Sequence, residues 1–474
     1  MTPPQSDAQT LFGHVEALFP ICRSITGEGL RRTLRYLAER IPLELREVPT
    51  GTRVLDWEIP REWTPRAAWV RTLSGETVVD FARHNLHLVQ YSLAVPEQVM
   101  PMAALRPHLH SLPAQPDLTP YRTAYYADTW GFCLPQRVLE GMTDPAYRVR
   151  VDADLAPGSL TYGECLLPGE EEGEVLVSAH CCHPSLANDN LSAIACALEL
   201  ARRLMNRPRR RFAWRFLFAP GTIGAVAWLA ANRDGAARRV RHGMVLSNLG
   251  DGAPLTWKRS RRESAAIDRI VAHVLRHDAA PEEGGAGPPN RLLPFSPYGY
   301  DERQFCSPGF DLPVGCLQRS VHGEFPEYHT SADDLAFVRP EHLARSFAAL
   351  QAIAGAVEEG DEIPVSTSPF GEPQLGRRGL YAPIGGTGPG GGGGAPGRGF
   401  DQMTLLWLLN LADGRHTLLD VAERAGRPFR EVRAAAAAAA AAGLLEVPLA
   451  VTASPFPSGP AGDHIAPRRT AHPG

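Results

Sequence analysis

Ser178-Ala179-His180-Cys181-Cys182-His183-Pro184-Ser185-Leu186-Ala187-Asn188-Asp189-Asn190-Leu191-Ser192 is the stretch whose reading decides the fold. The apolar run before it, 174–178, reads as a buried strand. The segment after it, 191–205, has apolar residues at helical spacing. A histidine leaving a strand and an aspartate at a helix entrance, nine residues apart, make half of a metal site. Imidazole and carboxylate suit zinc, and the loop between them lets both converge on one ion. Taken singly, His180 would bond backbone and Asp189 would cap the following helix. His329, far downstream in Glu327-Tyr328-His329-Thr330-Ser331-Ala332-Asp333-Asp334, is the third candidate ligand and tips the reading to metal. Cys181, Cys182 and His183 are adjacent and cannot readily share one tetrahedral ion, so Cys182 is assigned to packing.

Outward from that stretch, strand candidates at 174–178, 212–219 and 242–248 alternate with helix candidates at 191–205, 223–232, 264–276 and 340–357. This alternation predicts an α/β fold, a mainly parallel mixed sheet with helices on both faces. Ligands in such sheets collect at the carboxyl ends of the strands, where His180 falls. Residues 8–45 read as N-terminal helices of the same core, and 111–365 as its body. Between them, 46–110 reads as a small β-rich inserted domain. Pro49-Thr50-Gly51-Thr52, Trp57-Glu58-Ile59-Pro60 and Leu73-Ser74-Gly75-Glu76 are its turn signals. A glycine-rich linker, 385–399, leads to three short helices and a candidate wing at 445–451, a winged-helix pattern over 400–452. Residues 453–474 read as a disordered tail.

Composition narrows the classes. A net charge of −4 and a pI near 6.5 give no electrostatic case for nucleic acid or an anionic membrane. The third C-terminal helix is largely the alanine tract 434–442, which offers nothing to a base edge. No apolar run approaches the ~20 residues that span a bilayer, and no signal peptide is visible, so a cytoplasmic protein is expected. The eight cysteines follow no framework spacing and are expected to be reduced. Of 48 basic side chains only Lys258 is a lysine. Either this is chance, or a compact ammonium is needed there that a guanidinium cannot replace.

His180, Asp189-Asn190-x-Ser192, the strand ending near Asn248-Leu249-Gly250-Asp251 and Tyr328-His329-Thr330 resemble the co-catalytic zinc aminopeptidases. A fuller likeness covers nearly the whole chain. It is to an aminopeptidase-like family of unknown function, often encoded beside polysaccharide or secondary-metabolite pathways. Arg23-Ser24-Ile25-Thr26-Gly27, Asp56-Trp57-Glu58-Ile59-Pro60, Asn85-Leu86-His87 and Trp130-Gly131-Phe132-Cys133 carry it, with Cys182 to Ser192, Tyr300-Asp301-Glu302-Arg303-Gln304 and Pro326 to Asp333. The resemblance implies a peptidase-like core, a small inserted domain and a C-terminal winged helix. It also implies His180, Asp189 and His329 as zinc ligands, with Asp251 a further candidate that could equally begin a turn.

One departure stands out. The family pattern after the next strand is Pro-Glu-Thr-Ile-Gly, and its glutamate matches the general base of the zinc aminopeptidases. Here Pro220-Gly221-Thr222-Ile223-Gly224 places glycine there, and Thr222 is not the acidic ligand of the two-zinc enzymes. Losing a general base typically costs ~10²–10⁴-fold. Asp301 and Glu302 are the candidate substitutes, the alternative being a turn with an Asp301 cap. Lys258, Arg259, Arg261, Arg303 and Tyr328 are candidate substrate-binding residues, the alternative for the basic ones being surface charge. The expectation is a zinc-dependent hydrolase of an amide or peptide bond in a small biosynthetic intermediate or short peptide, weakened by Gly221. A catalytically inactive binding or regulatory protein is the rival. Homo-oligomerisation is left open, and nucleic acid is the less favoured partner.

Overall fold

The computed structural model describes residues 5–279, 288–381 and 399–446. Most of the predicted linker, residues 447–451 of the predicted wing and the predicted tail lie outside the described residues. The central sheet consists of β1 (Glu44–Pro49), β2 (Ser159–Leu167), β3 (Glu174–His180), β4 (Ala213–Ala219), β5 (Val240–Leu246), β6 (Thr256–Lys258), β7 (Arg291–Leu293) and β8 (Val314–Gln318). Their spatial order is β1-β2-β4-β3-β5-β8-β6-β7. The middle strands β4, β3, β5 and β8 run parallel, while β1, β2 and β6 join antiparallel. Every residue of β3 is buried, which is why its sequence is a continuous apolar run rather than an alternation.

Side chains alternate across the strands and feed two cores. Val175, Val177 and Ala179 of β3, Trp214, Phe216 and Phe218 of β4, and Met244 and Leu246 of β5 face one side. Leu176, Leu217, Ala219 and Val245 face the other. The longer helices of the core are α1 (Gln5–Leu18), α2 (Glu28–Ala38), α3 (Ala193–Met205), α4 (Ile223–Asn232), α5 (Ala266–His277) and α6 (Pro340–Glu359). All but α4 close the first face. The second face is closed by α4 and by a small antiparallel sheet in the order Thr77–Asp80, Glu62–Arg71, Ala146–Ala156, Val95–Pro101.

That small sheet corrects the predicted 46–110 boundary. Ala146–Ala156 pairs with both Glu62–Arg71 and Val95–Pro101, so the insert closes on a strand well beyond residue 110. Residues 46–49, at the other end, belong to β1 of the central sheet. Strand order in space does not follow chain order, and turn signals alone do not reveal the returning strand.

The C-terminal winged helix comprises α7 (Gln402–Leu411), α8 (Leu418–Ala425) and α9 (Phe429–Ala441). The described part of the predicted wing, Leu445–Glu446, pairs with Val365–Ser366, a segment ahead of the linker. The unit is docked on the core. Helix α9 buries Phe429, Val432, Ala435, Ala436 and Ala439, and its Arg433 pairs with the buried Glu359 of α6. Arg430 reaches Asp278 at 2.9 Å, and Arg269 of α5 meets Asp420 and Glu423 of α8 at 2.5 and 2.6 Å. Among the described residues no helix is long and apolar enough to cross a membrane.

Candidate metal centre

His180 is the last residue of β3, at the carboxyl end of a central parallel strand. The chain then reverses through Pro184 and Ser185, whose φ of 45° lies in the left-handed region, before entering α3. This turn brings Asp189 back beneath the strand end. Asp189 is fully buried and stands between two imidazoles. Its Oδ1 lies 2.8 Å from His180 Nε2 and its Oδ2 3.1 Å from His329 Nε2. His183 completes the group, with its ligating atom within 4.8 Å of those of His180 and Asp189.

The surroundings hold these side chains rigidly. Asp333 accepts from the Asn188 and Asp189 backbone N–H groups at 2.6 and 3.0 Å. Asn190 Nδ2 lies 3.0 Å from His180 Nδ1 and donates to Leu246 O at 3.1 Å, tying the loop to β5. The fully buried Arg23 donates to the His183 carbonyl at 2.8 Å, which gives the Arg23-Ser24-Ile25-Thr26-Gly27 word its task. Tyr121 presents its ring at right angles to that of His329, 5.0 Å away, and its N–H bonds the His329 carbonyl.

Electrostatics suit a cation. Burial pushes His180 and His183 down, leaving neutral imidazoles, the form that ligates metal. Burial alone would raise the Asp189 carboxyl. The facing imidazoles of His183 and His180 outweigh it and hold the group well below the usual carboxylate range. Three imidazoles around one carboxylate are a zinc-type donor set, so the residues present fit that ion.

The other sequence candidates fall in different places. Asp251 is not in the cluster. Its carboxylate accepts from Asn188 Nδ2 at 2.7 Å and from the Ala253 N–H at 2.8 Å, so it braces the loop carrying Asp189. Glu302 and Lys258 are not free groups facing a substrate. They form a buried pair at 2.5 Å, with Lys258 also donating to Tyr298 O at 2.6 Å. Asp301 is buried, accepts from the Thr222 N–H at 2.8 Å and is pushed up to about 7 by burial. Arg259 and Arg261 sit on the loop after β6. Arg259 donates to Glu263 O, and Arg261 lies by Cys306 O and Asp311. The Nε of Arg303 is buried without a hydrogen-bond partner among the described residues. Tyr328 does join the site, stacked on His329 at 3.9 Å.

The sequence does not single out three members of the site. Adjacency to two cysteines argues against His183 as a ligand, yet the turn at Pro184 swings it onto His180, 4.8 Å between rings. Tyr300 lies flat against His180 at 3.6 Å, and His322 stacks on its ring at 5.2 Å. Tyr300 opens the Tyr300-Asp301-Glu302-Arg303-Gln304 word, but no metal-ligand spacing places it or His322 at the site.

The fold and this cluster define a zinc-aminopeptidase-like α/β protein carrying a winged helix. Residues 12–360 match a family described as a domain of unknown function (DUF4910), and the chain belongs to that family. Residues 362–447 match a winged helix-turn-helix family. A Clostridium acetobutylicum protein, provisionally named as a polysaccharide biosynthesis protein with an aminopeptidase-like domain, is 41% identical, over 92% of this chain and 96% of its own. A crystal structure of a provisionally assigned peptidase from the same organism superposes with a TM-score of 0.83 at 38% identity, covering 94% of this chain and 97% of that one. A zinc aminopeptidase from Bacillus subtilis shares the fold, with a TM-score of 0.54 at 12% identity over 74% of this chain and 95% of its own.

Proposed function

We propose that this chain is a zinc-dependent, aminopeptidase-like hydrolase that cleaves an amide or peptide bond in a small cytoplasmic biosynthetic intermediate. The observation that carries the reading is the buried Asp189 carboxylate, offered to the His180 and His329 imidazoles at the carboxyl end of β3 with His183 alongside. Zinc, when bound, polarises the scissile carbonyl and lowers the pKa of its water. His180, His183, Asp189 and His329 would hold it. Asn190, Asp333 and Arg23 keep those groups from swinging, and Tyr121 and Tyr328 wall the site with aromatic surface. The relative named for polysaccharide biosynthesis supports a substrate drawn from that chemistry, such as an amide-bearing sugar intermediate. The docking of α9 on the core supports a structural role for the winged helix rather than DNA contact.

Zinc content and turnover of an aminoacyl-p-nitroanilide and amide panel, for wild type and His180→Ala, test this. Zinc and cleavage in wild type with both lost in His180→Ala is the expected result. A wild type that takes up no zinc refutes it. Gly221 favours a second reading, a binding protein that keeps its metal. Stoichiometric zinc with no cleavage across the panel is the result that reading predicts.

A further inference from the structure

We infer that Lys258, the sole lysine, is a positioning residue for the metal ligand His180. Through the loop at 298–302 it lays the Tyr300 ring flat across that imidazole. The inference rests on the metal-binding part of the reading above and adds to it the device that fixes one ligand's orientation.

The edge of the His180 ring is held at both nitrogens, with Asp189 Oδ1 2.8 Å from Nε2 and Asn190 Nδ2 3.0 Å from Nδ1. Its face is held by Tyr300. The two ring centroids are 3.6 Å apart and the planes 25° from parallel. His322 backs the tyrosine from the other side at 5.2 Å and 16°, and its Nε2 lies 3.3 Å from Ser247 Oγ. This three-ring stack keeps its register only if the Tyr300 backbone stays in place. The Tyr300 N–H donates to the Glu302 carboxylate, at 3.0 Å to Oε2 and 3.2 Å to Oε1. Lys258 Nζ donates to the same carboxylate at 2.5 Å and to Tyr298 O at 2.6 Å. One ammonium therefore ties the loop on both sides of Tyr300. The Phe295 ring, 5.6 Å from Nζ, covers it. A Cβ on Gly299 would lie 2.2 Å from Glu302 Oε1, so the loop closes over the pair only with glycine there. That closed space suits a compact ammonium and not a planar guanidinium. Lys258 and Glu302 stand outside the histidine cluster and act on it through Tyr300. Removing an outer partner of a metal-bound histidine typically costs about 10–100-fold in metal affinity.

Zinc affinity, read by competition with a chromophoric chelator well below the melting temperature, tests this. The visible spectrum of the cobalt(II)-loaded protein and the melting temperature of the metal-free one are measured alongside. Tyr300→Phe keeps the ring and is expected to bind zinc as wild type does. Tyr300→Leu removes it and is expected to bind about 10–100-fold more weakly, with shifted cobalt bands. The decisive variant combines Lys258→Met with Glu302→Gln. It strands no charge and so melts close to wild type, yet it has lost the tie to Tyr298 O and is expected to bind zinc at least about tenfold more weakly. Wild-type affinity in that double variant, or in Tyr300→Leu, overturns the inference and leaves the pair and the ring as structural supports only. Binding by Tyr300→Phe as weak as by Tyr300→Leu overturns it too, since the ring would then not be what acts. Should Tyr300→Leu fail to fold, the double variant decides alone. A wild type that takes up neither zinc nor cobalt sinks the metal reading and this inference with it, whereas one that loads zinc without turnover sinks only the hydrolase reading.

Discussion

The sole lysine of the chain supplies a quantitative test of how the site is supported. Lys258 Nζ lies 2.5 Å from Glu302 Oε1, and the two side chains are 6% and 1% exposed. Breaking a buried ion pair from one side strands the other charge, at a cost of about 3–5 kcal/mol. Lys258→Met leaves Glu302 in that state. With about 2 °C of melting temperature per kcal/mol in a chain of this size, the variant is expected to melt about 6–10 °C below wild type. Adding Glu302→Gln removes the stranded charge while keeping an oxygen for the Tyr300 N–H, so the double variant recovers most of the loss. Lys258→Arg is not conservative here. A Cβ on Gly299 would lie 2.3 Å from Nζ, so the ammonium is already hemmed in, and the larger guanidinium overpacks the site by about 1–3 kcal/mol. Differential scanning calorimetry of the metal-free proteins measures all four. If Lys258→Met melts within about 2 °C of wild type, or Glu302→Gln fails to rescue it, the premise of a buried charge pair is wrong.

Two further outcomes follow from the same geometry. Asp251→Asn is expected to keep its zinc, because that carboxylate braces Asn188, whereas Asp189→Asn is expected to lose it; metal analysis showing equal loss in both would make Asp251 a ligand. Glu362, at the joint between α6 and the winged helix, is pushed up to about 7 by burial and by Glu359, and its Oε2 is buried with no partner among the described residues. The folded protein therefore binds this proton more tightly than the unfolded chain does. Stability falls as pH rises from the ordinary glutamate range through 7 and is flat beyond. Glu362→Gln should accordingly stabilise by about 1–3 kcal/mol at pH 8 and by nothing near pH 4, and equal melting shifts at both would refute the assignment.

Much of the fold is local enough to read in the chain. The apolar run of β3 and the helical spacing after Leu191 name a buried parallel strand and its crossover, and the strand end locates the site. What escapes is decided by pairings across long sequence separations. Ala146–Ala156 looks like any alternating strand, and nothing in it says that its neighbours are Glu62–Arg71 and Val95–Pro101. Asp251 follows a strand as a ligand would, yet whether its carboxylate faces an ion or Asn188 depends on a loop 63 positions earlier. Lys258 and Glu302, 44 positions apart, each read as an available charge and are each consumed by the other.

Gly221 shows the same limit most sharply. Read along the chain, glycine in place of an expected glutamate is a deletion, and the inference drawn from it is lost activity. Read in space, the position faces a tyrosine. A Cβ at 221 would lie 2.0 Å from the Tyr300 hydroxyl, 79 positions further on, so in this structure any larger side chain there requires the phenol to shift. A carboxylate and a phenol in that volume do different chemistry. The first takes a proton from water, while the second, protonated at neutral pH, gives and accepts hydrogen bonds but takes no proton. Replacing Gly221 by glutamate therefore requires the Tyr300 hydroxyl to move aside as well. Turnover by Gly221→Glu alone and with Tyr300→Ala decides whether it does: activity gained by the single change shows that the ring yields, and activity gained only by the pair shows that it blocks.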